Sequence, residues 1–226
     1  MANICIVMGP SGTGKSTSIK GLNPEETVIL NLLGKKLPFK GSSALYNTEK
    51  KNLFQVDSSD KIVALLNSID GKAKYVKNIV IDDASYLMRK EYFLKAKERG
   101  YDKFVDIALH TQQVIETCEH LRPDLTVFFM YHSEELVDNG SVIGYKVATV
   151  GKMVDQTYNP LEVVPLVLFS ASEFDDKGNV SYGFYTHRTM KGSVVIPAKS
   201  PNGMFDDNFI PNDLGLVISK MTEYYN

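Results

Sequence analysis

Nine consecutive residues near the start of the chain could grip a phosphate. Gly9-Pro10-Ser11-Gly12-Thr13-Gly14-Lys15-Ser16-Thr17 satisfies G-x-x-x-x-G-K-[ST], the phosphate-binding P-loop. The spacing follows from the chemistry. Glycines at 9, 12 and 14 let the backbone bend through conformations closed to residues with a Cβ, so successive N–H groups turn inward on an anion. A helix starting near Lys15 would aim its positive end at the same point. Lys15, on a solvent-facing loop, can reach the β- and γ-phosphates as a point charge, and the Ser16 hydroxyl is placed to ligate Mg²⁺. A chance match in a chain of this length has odds of roughly one in a hundred on average residue frequencies. The context matches too, because an apolar strand (Asn3–Met8) enters the loop and a helical run to about Lys20 leaves it.

Two further stretches carry titratable groups. Asn78-Ile79-Val80-Ile81-Asp82-Asp83 reads as a buried strand ending in two carboxylates. Asp82 fits the Walker B aspartate, which holds Mg²⁺ opposite Ser16. Asp83 stands where many P-loop ATPases place a carboxylate that orients the attacking water; the competing reading is an N-cap for the helix that follows. His132 ends the next apolar strand, Thr126–Tyr131. It reads either as a γ-phosphate contact or as a half-buried histidine bonded to backbone. The expected catalytic set is Lys15, Asp83 and His132, and the metal set is Ser16 and Asp82. His110, His120 and His187 read as surface residues.

Elements able to position these groups recur along the chain. Thr27–Leu32 is a second strand and Leu53–Val56 a short edge strand. Ser58 or Ser59 caps a helix to about Ile69 that Gly71 stops. Helices follow at about Ser85–Arg99 and Asp102–Leu121. Glu134–Lys146, with its Asp138-Asn139-Gly140 turn, is a hairpin or loop, and Val150–Tyr158 a short helix. Glu162–Ser170 and Ser181–His187 form a hairpin, residues 198–211 are irregular, and a last helix covers Asp213–Tyr225. Uninterrupted apolar strands between amphipathic helices mean a mostly parallel sheet covered on both faces. The P-loop, Asp82/Asp83 and His132 all fall at carboxyl ends of strands, where such sheets bind ligands. The loop Gly34–Gly41, with Lys35, Lys36 and Lys40, reads as a solvated loop, with contact to phosphates as the alternative.

Composition removes several classes. The 226 residues are 43% hydrophobic with net charge −2, so any nucleic-acid contact must come from a local patch. Two cysteines, Cys5 and Cys118, both at apolar positions, suggest neither a disulfide framework nor a metal centre. No apolar run reaches membrane-span length and no leader pattern precedes the first strand, so the expectation is one cytoplasmic domain over 1–226.

Several stretches resemble phage-encoded RecA-like ATP-binding proteins, some of which are single-strand annealing or recombination ATPases. They are the P-loop, Leu37-Pro38-Phe39-Lys40-Gly41, Ile-Val-Ile-Asp-Asp-Ala-Ser-Tyr-Leu-Met, Val-Gly-Lys-Met-Val-Asp and Ala-Lys-Ser-Pro-Asn-Gly-Met-Phe. The resemblance covers most of the chain. It implies a three-layer RecA-like P-loop NTPase fold with a C-terminal β-hairpin, ATP and Mg²⁺, single-stranded DNA as partner, and a ring or filament of subunits. It also implies a second cation supplied by a neighbouring subunit, with Lys152, Arg188 and Lys199 the candidates, and DNA-contacting segments at Ser133–Lys146 and Arg188–Pro201. One departure stands out. The family places a catalytic glutamate after the second strand, where this chain has Asn31-Leu32-Leu33-Gly34. Two other readings remain beside a DNA-metabolism ATPase: a non-hydrolysing nucleotide-binding regulatory module, and a small-molecule P-loop kinase, which the absence of an arginine-rich lid disfavours.

Overall fold

A computed structural model describes residues 1–226, except the side chains of residues 153, 156 and 157. The elements run β1 (Asn3–Gly9), a 3₁₀ helix (Ser16–Gly21), β2 (Thr27–Asn31), α1 (Ser42–Leu45), β3 (Leu53–Gln55), α2 (Ser59–Lys72) and β4 (Asn78–Asp82). They continue with α3 (Ser85–Leu94), α4 (Asp102–Glu119), β5 (Thr126–Asp138), β6 (Ser141–Val147), α5 (Lys152–Thr157) and α6 (Pro160–Val163). The last are β7 (Leu166–Phe174), β8 (Val180–Tyr185), β9 (Thr189–Lys191), β10 (Val194–Ile196), β11 (Phe209–Pro211) and α7 (Leu214–Tyr225).

The central sheet has the order β11-β8-β7-β1-β5-β4-β2-β3. From β3 to β7 every neighbouring pair is parallel; β8 and β11 add antiparallel to that edge. β5 lies between β1 and β4, so the P-loop strand and the carboxylate-bearing strand are held one strand apart. Strands buried on both faces need apolar residues at every position. β1 supplies them, with Ile4, Ile6 and Met8 facing α2, α3 and α4, and Cys5 and Val7 facing the 3₁₀ helix and α7. Helices therefore cover both faces, giving the three-layer α/β architecture with a β7–β8 hairpin near its C-terminus. Both cysteines are free and buried. Among the described residues no helix is long and apolar enough to cross a membrane.

Several boundaries differ from the sequence-based expectation. The run after the P-loop is a 3₁₀ helix rather than an α-helix. α2 continues through Gly71 to Lys72, since a helix tolerates an exposed glycine in its last turn. Residues 160–163 are a helical turn instead of the start of a strand, because Asn159 accepts from the Leu161 N–H and Pro160 occupies the first turn. β5 does not end at His132. It runs on to Asp138 and pairs with β6 across Asn139 and Gly140, both at positive φ (48° and 79°), the requirement of a type I′ turn. The segment 198–211 is not wholly irregular, as β11 closes it.

Candidate nucleotide site

The loop after β1 turns on Gly12 and Gly14, at φ 83° and 93°, conformations that a Cβ opposes. The N–H groups of these two glycines have no acceptor among the described residues, as an anion nest requires. Ser170 on β7 fixes the loop from behind, its fully buried hydroxyl donating to the Thr13 carbonyl at 2.6 Å. Lys15 is not solvent-facing. It is 7% exposed, and its Nζ donates to the carbonyls of Gly9 (2.8 Å) and Pro10 (2.7 Å). Burial lowers its pKa to about 8, against the opposing pull of Asp83 and Asp82.

The Ser16 hydroxyl donates to Asp82 Oδ1 at 2.8 Å. Asp82 is 4% exposed, and burial together with the charge of Asp83 raises its pKa to about 6. Two hard oxygen donors at the mouth of a phosphate loop fit Mg²⁺, which takes one or two protein ligands and fills the rest of its shell with phosphates and water. No group of three or more His, Cys, Asp and Glu side chains among the described residues is placed to hold a metal ion. Asp83 sits at φ 58°, left-handed backbone that is unusual for a non-glycine residue. It does not cap α3 with its side chain. Its Oδ1 lies 2.9 Å from His132 Nε2 and its Oδ2 4.0 Å from Lys35 Nζ. Burial works to raise the Asp83 pKa, but the bond to His132 and the nearby Lys35 and Lys15 hold it below the usual carboxylate range. His132 is held in turn, its backbone N–H donating to Ser85 Oγ at 2.9 Å, with the Tyr86 ring edge-on to the imidazole. The backbone-bonded reading of the His132 side chain gives way to a carboxylate partner.

The loop lysines are not simply solvated. Lys35 and Lys36 line the same cleft of about 990 Å³ as the P-loop, Asp82, Asp83 and His132. The cause lies in Asn31, a buried polar residue at the end of β2. Its Nδ2 donates to the Lys35 carbonyl (2.8 Å), while its Oδ1 accepts from the N–H groups of Leu33 (3.1 Å) and Gly34 (2.7 Å). This side chain builds the turn that returns Lys35 over the cleft. The cleft is also lined by Lys20, Gly21, Tyr182, Asn212 and Asp213, none of which sequence reasoning placed there. Asp213 was legible as the start of a helix, but its nearness to the P-loop arises only when α7 packs on the 3₁₀ helix. Lys152, Arg188 and Lys199 do not line the cleft.

No family model matches the sequence, and no curated protein matches it. Among solved structures the chain is similar to a KaiC-like protein from the hyperthermophilic archaeon Pyrococcus horikoshii OT3. The identity is 15% over 84% of this chain and 82% of that chain, with a TM-score of 0.44.

Proposed function

We propose that this chain is a Mg²⁺-dependent P-loop ATPase. The observation that carries the reading is the pairing of Ser16 with Asp82 at the mouth of a glycine-bent loop, with the Asp83–His132 pair beside it. Mg²⁺ held by Ser16 and Asp82 would neutralise charge on the β- and γ-phosphate oxygens. The chain's own groups do the rest. The free N–H groups of Gly12 and Gly14 donate to the phosphate oxygens, and Lys15 leaves its own loop carbonyls to donate to them as well. Asp83, ionised at neutral pH, receives the proton of the attacking water. His132 orients that carboxylate, and Lys35 lies on its other side. The test is Mg²⁺-dependent release of phosphate from ATP by the purified protein and by Lys15→Ala. Loss of both binding and turnover in a folded variant is expected; unchanged affinity and rate reject the site.

In the finer reading the protein acts in phage DNA recombination or replication, as an oligomeric ring or filament working with single-stranded DNA. Two segments support this part. Ser133–Lys146 and Arg188–Pro201, the stretches that the family resemblance ties to DNA, share one small sheet: β5 pairs with β6, and β10 joins β6 to β9. A stimulation of turnover by single-stranded DNA checks it. A regulatory module that binds ATP without hydrolysing it is the second reading, favoured by one observation: no carboxylate stands at the end of β2 or just after it, where the resemblance implies a glutamate, and the side chain of Asn31, the last residue of β2, is consumed by the turn that it builds.

A further inference from the structure

One end of the cleft has no work in the chemistry proposed above. The phosphate end is fixed by Gly12, Gly14 and Lys15, and the transfer end by Asp82, Asp83, His132 and Lys35. The remaining wall comes from the 3₁₀ helix, from β8 and from the β11–α7 junction, and is lined by Lys20, Gly21, Tyr182, Asn212 and Asp213. This wall is tight against the P-loop. A Cβ at Gly14 would stand 2.9 Å from Asn212 Nδ2, and one at Gly21 would stand 1.8 Å from Asp213 Oδ1. Asp213 Oδ1 is already committed, accepting from Gly215 N–H at 2.7 Å at the start of α7. Asn212 is not. Its Nδ2 is a buried amide donor with no hydrogen-bond partner, a condition that native structures avoid unless a ligand or water completes it. The Asn212 N–H donates to the Tyr182 carbonyl at 3.2 Å, so the backbones carrying the free amide and the half-exposed ring are adjacent, and both residues line the cleft.

We propose that Tyr182 and Asn212 form the base subsite of this nucleotide site and that Asn212 makes it select adenine. The inference rests on the P-loop reading and extends it to substrate choice. An aromatic ring open to a cleft gives any base a stacking surface but does not distinguish one from another. The amide discriminates. A turn about χ2 carries it from Gly14 toward the cleft, where it offers a donor beside an acceptor. That pair matches the N6–H and ring-nitrogen edge of adenine, whereas guanine presents two acceptors, O6 and N7, on the corresponding edge.

Calorimetric titration of Mg²⁺ with ADP, GDP and tripolyphosphate tests the proposal, using wild type, Tyr182→Ala, Tyr182→Phe and Asn212→Ala. Wild type should bind ADP at least about tenfold tighter than GDP, and Asn212→Ala should shrink that ratio to about threefold or less. Tyr182→Ala should weaken ADP about tenfold while Tyr182→Phe keeps it. Tripolyphosphate, which has no base, should bind all four proteins alike. ADP affinity and ADP/GDP preference unchanged in both alanine variants would overturn the subsite, as would equal losses of ADP and tripolyphosphate. Wild type that binds neither ADP nor tripolyphosphate would instead remove the P-loop reading, and the subsite with it. The Tyr182 side chain is half-exposed, so its variants keep the test decisive even where Asn212→Ala folds poorly.

Discussion

Burial moves Lys15 and Asp82 toward the uncharged form from opposite sides, to about 8 and about 6. Both must be charged to hold a metal–phosphate ligand. Affinity for Mg²⁺–ADP should therefore be highest between about pH 6 and 8, falling on the acid side as Asp82 gains its proton and on the alkaline side as Lys15 loses its own. Titrations from acid to alkaline pH check this, and Asp82→Asn should flatten the acid limb. The same carboxylate has a consequence for stability. Its pKa is higher folded than unfolded, so the folded state is penalised where Asp82 is ionised, and relief comes as pH falls through about 6 toward the ordinary aspartate value of 3.8. The nucleotide-free Asp82→Asn protein should then be more stable than wild type by on the order of 2–3 kcal/mol above pH 6, a gain that disappears in acid. Thermal unfolding across pH measures it; a destabilised variant at neutral pH would refute the assignment. Asp83→Asn should behave differently, leaving ADP affinity near wild type and slowing turnover by about 10²-fold or more. Equal small effects of the two substitutions on binding and turnover would point away from the divided roles.

At the scale of elements, what the sequence disclosed and what it withheld divide along one physical line. Continuous apolar runs such as Ile4–Met8 and Ile79–Ile81 mark parallel strands buried on both faces, and a glycine-rich motif between strand and helix marks the phosphate loop, because both signals are local. The Asp83–His132 contact was half-legible, since each residue follows an apolar strand run while the pairing depends on β4 lying beside β5. Lys35 was legible only as the alternative to a solvated loop, and Asn212 not at all, for a different reason. Their placement depends on Asn31 and on the packing of α7, interactions with no periodic signature. The Asn31 turn gives an element-scale prediction. Asn31→Ala removes three hydrogen bonds from a buried side chain and should lower stability by about 2 kcal/mol. Hydrogen exchange should rise at Leu33 and Gly34. An unchanged exchange pattern there would mean that the turn holds without Asn31.

For the whole molecule, the position of the remaining cations matters. Lys152, Arg188 and Lys199 lie outside the cleft of their own subunit, as a group acting on a neighbour's nucleotide would. Turnover per subunit should consequently rise with protein concentration, and ATP should favour assembly, because a ligand touching two subunits binds the oligomer better. Light scattering and ATPase rate over a dilution series, with and without single-stranded DNA, check this. A monomer of constant specific activity at every concentration would reject both assembly and the donated cation.

β5 belongs to two structures at once. Its first half is pinned between β1 and β4, and its second half leaves the sheet to pair with β6 alone. His132 marks the place where one regime gives way to the other. The strand is continuous through that place, so the hairpin is an arm with its fulcrum beside the candidate nucleotide site. At about 3.3 Å per residue, the Asp138–Gly140 tip stands roughly 20 Å beyond His132. Leverage follows from length alone: a tilt of about 5° at the fulcrum, too small to disturb the paired sheet, sweeps the tip through about 2 Å. A displacement of that size separates contact from clearance at a molecular surface, so a small change beside His132 would be magnified at the far end of the arm.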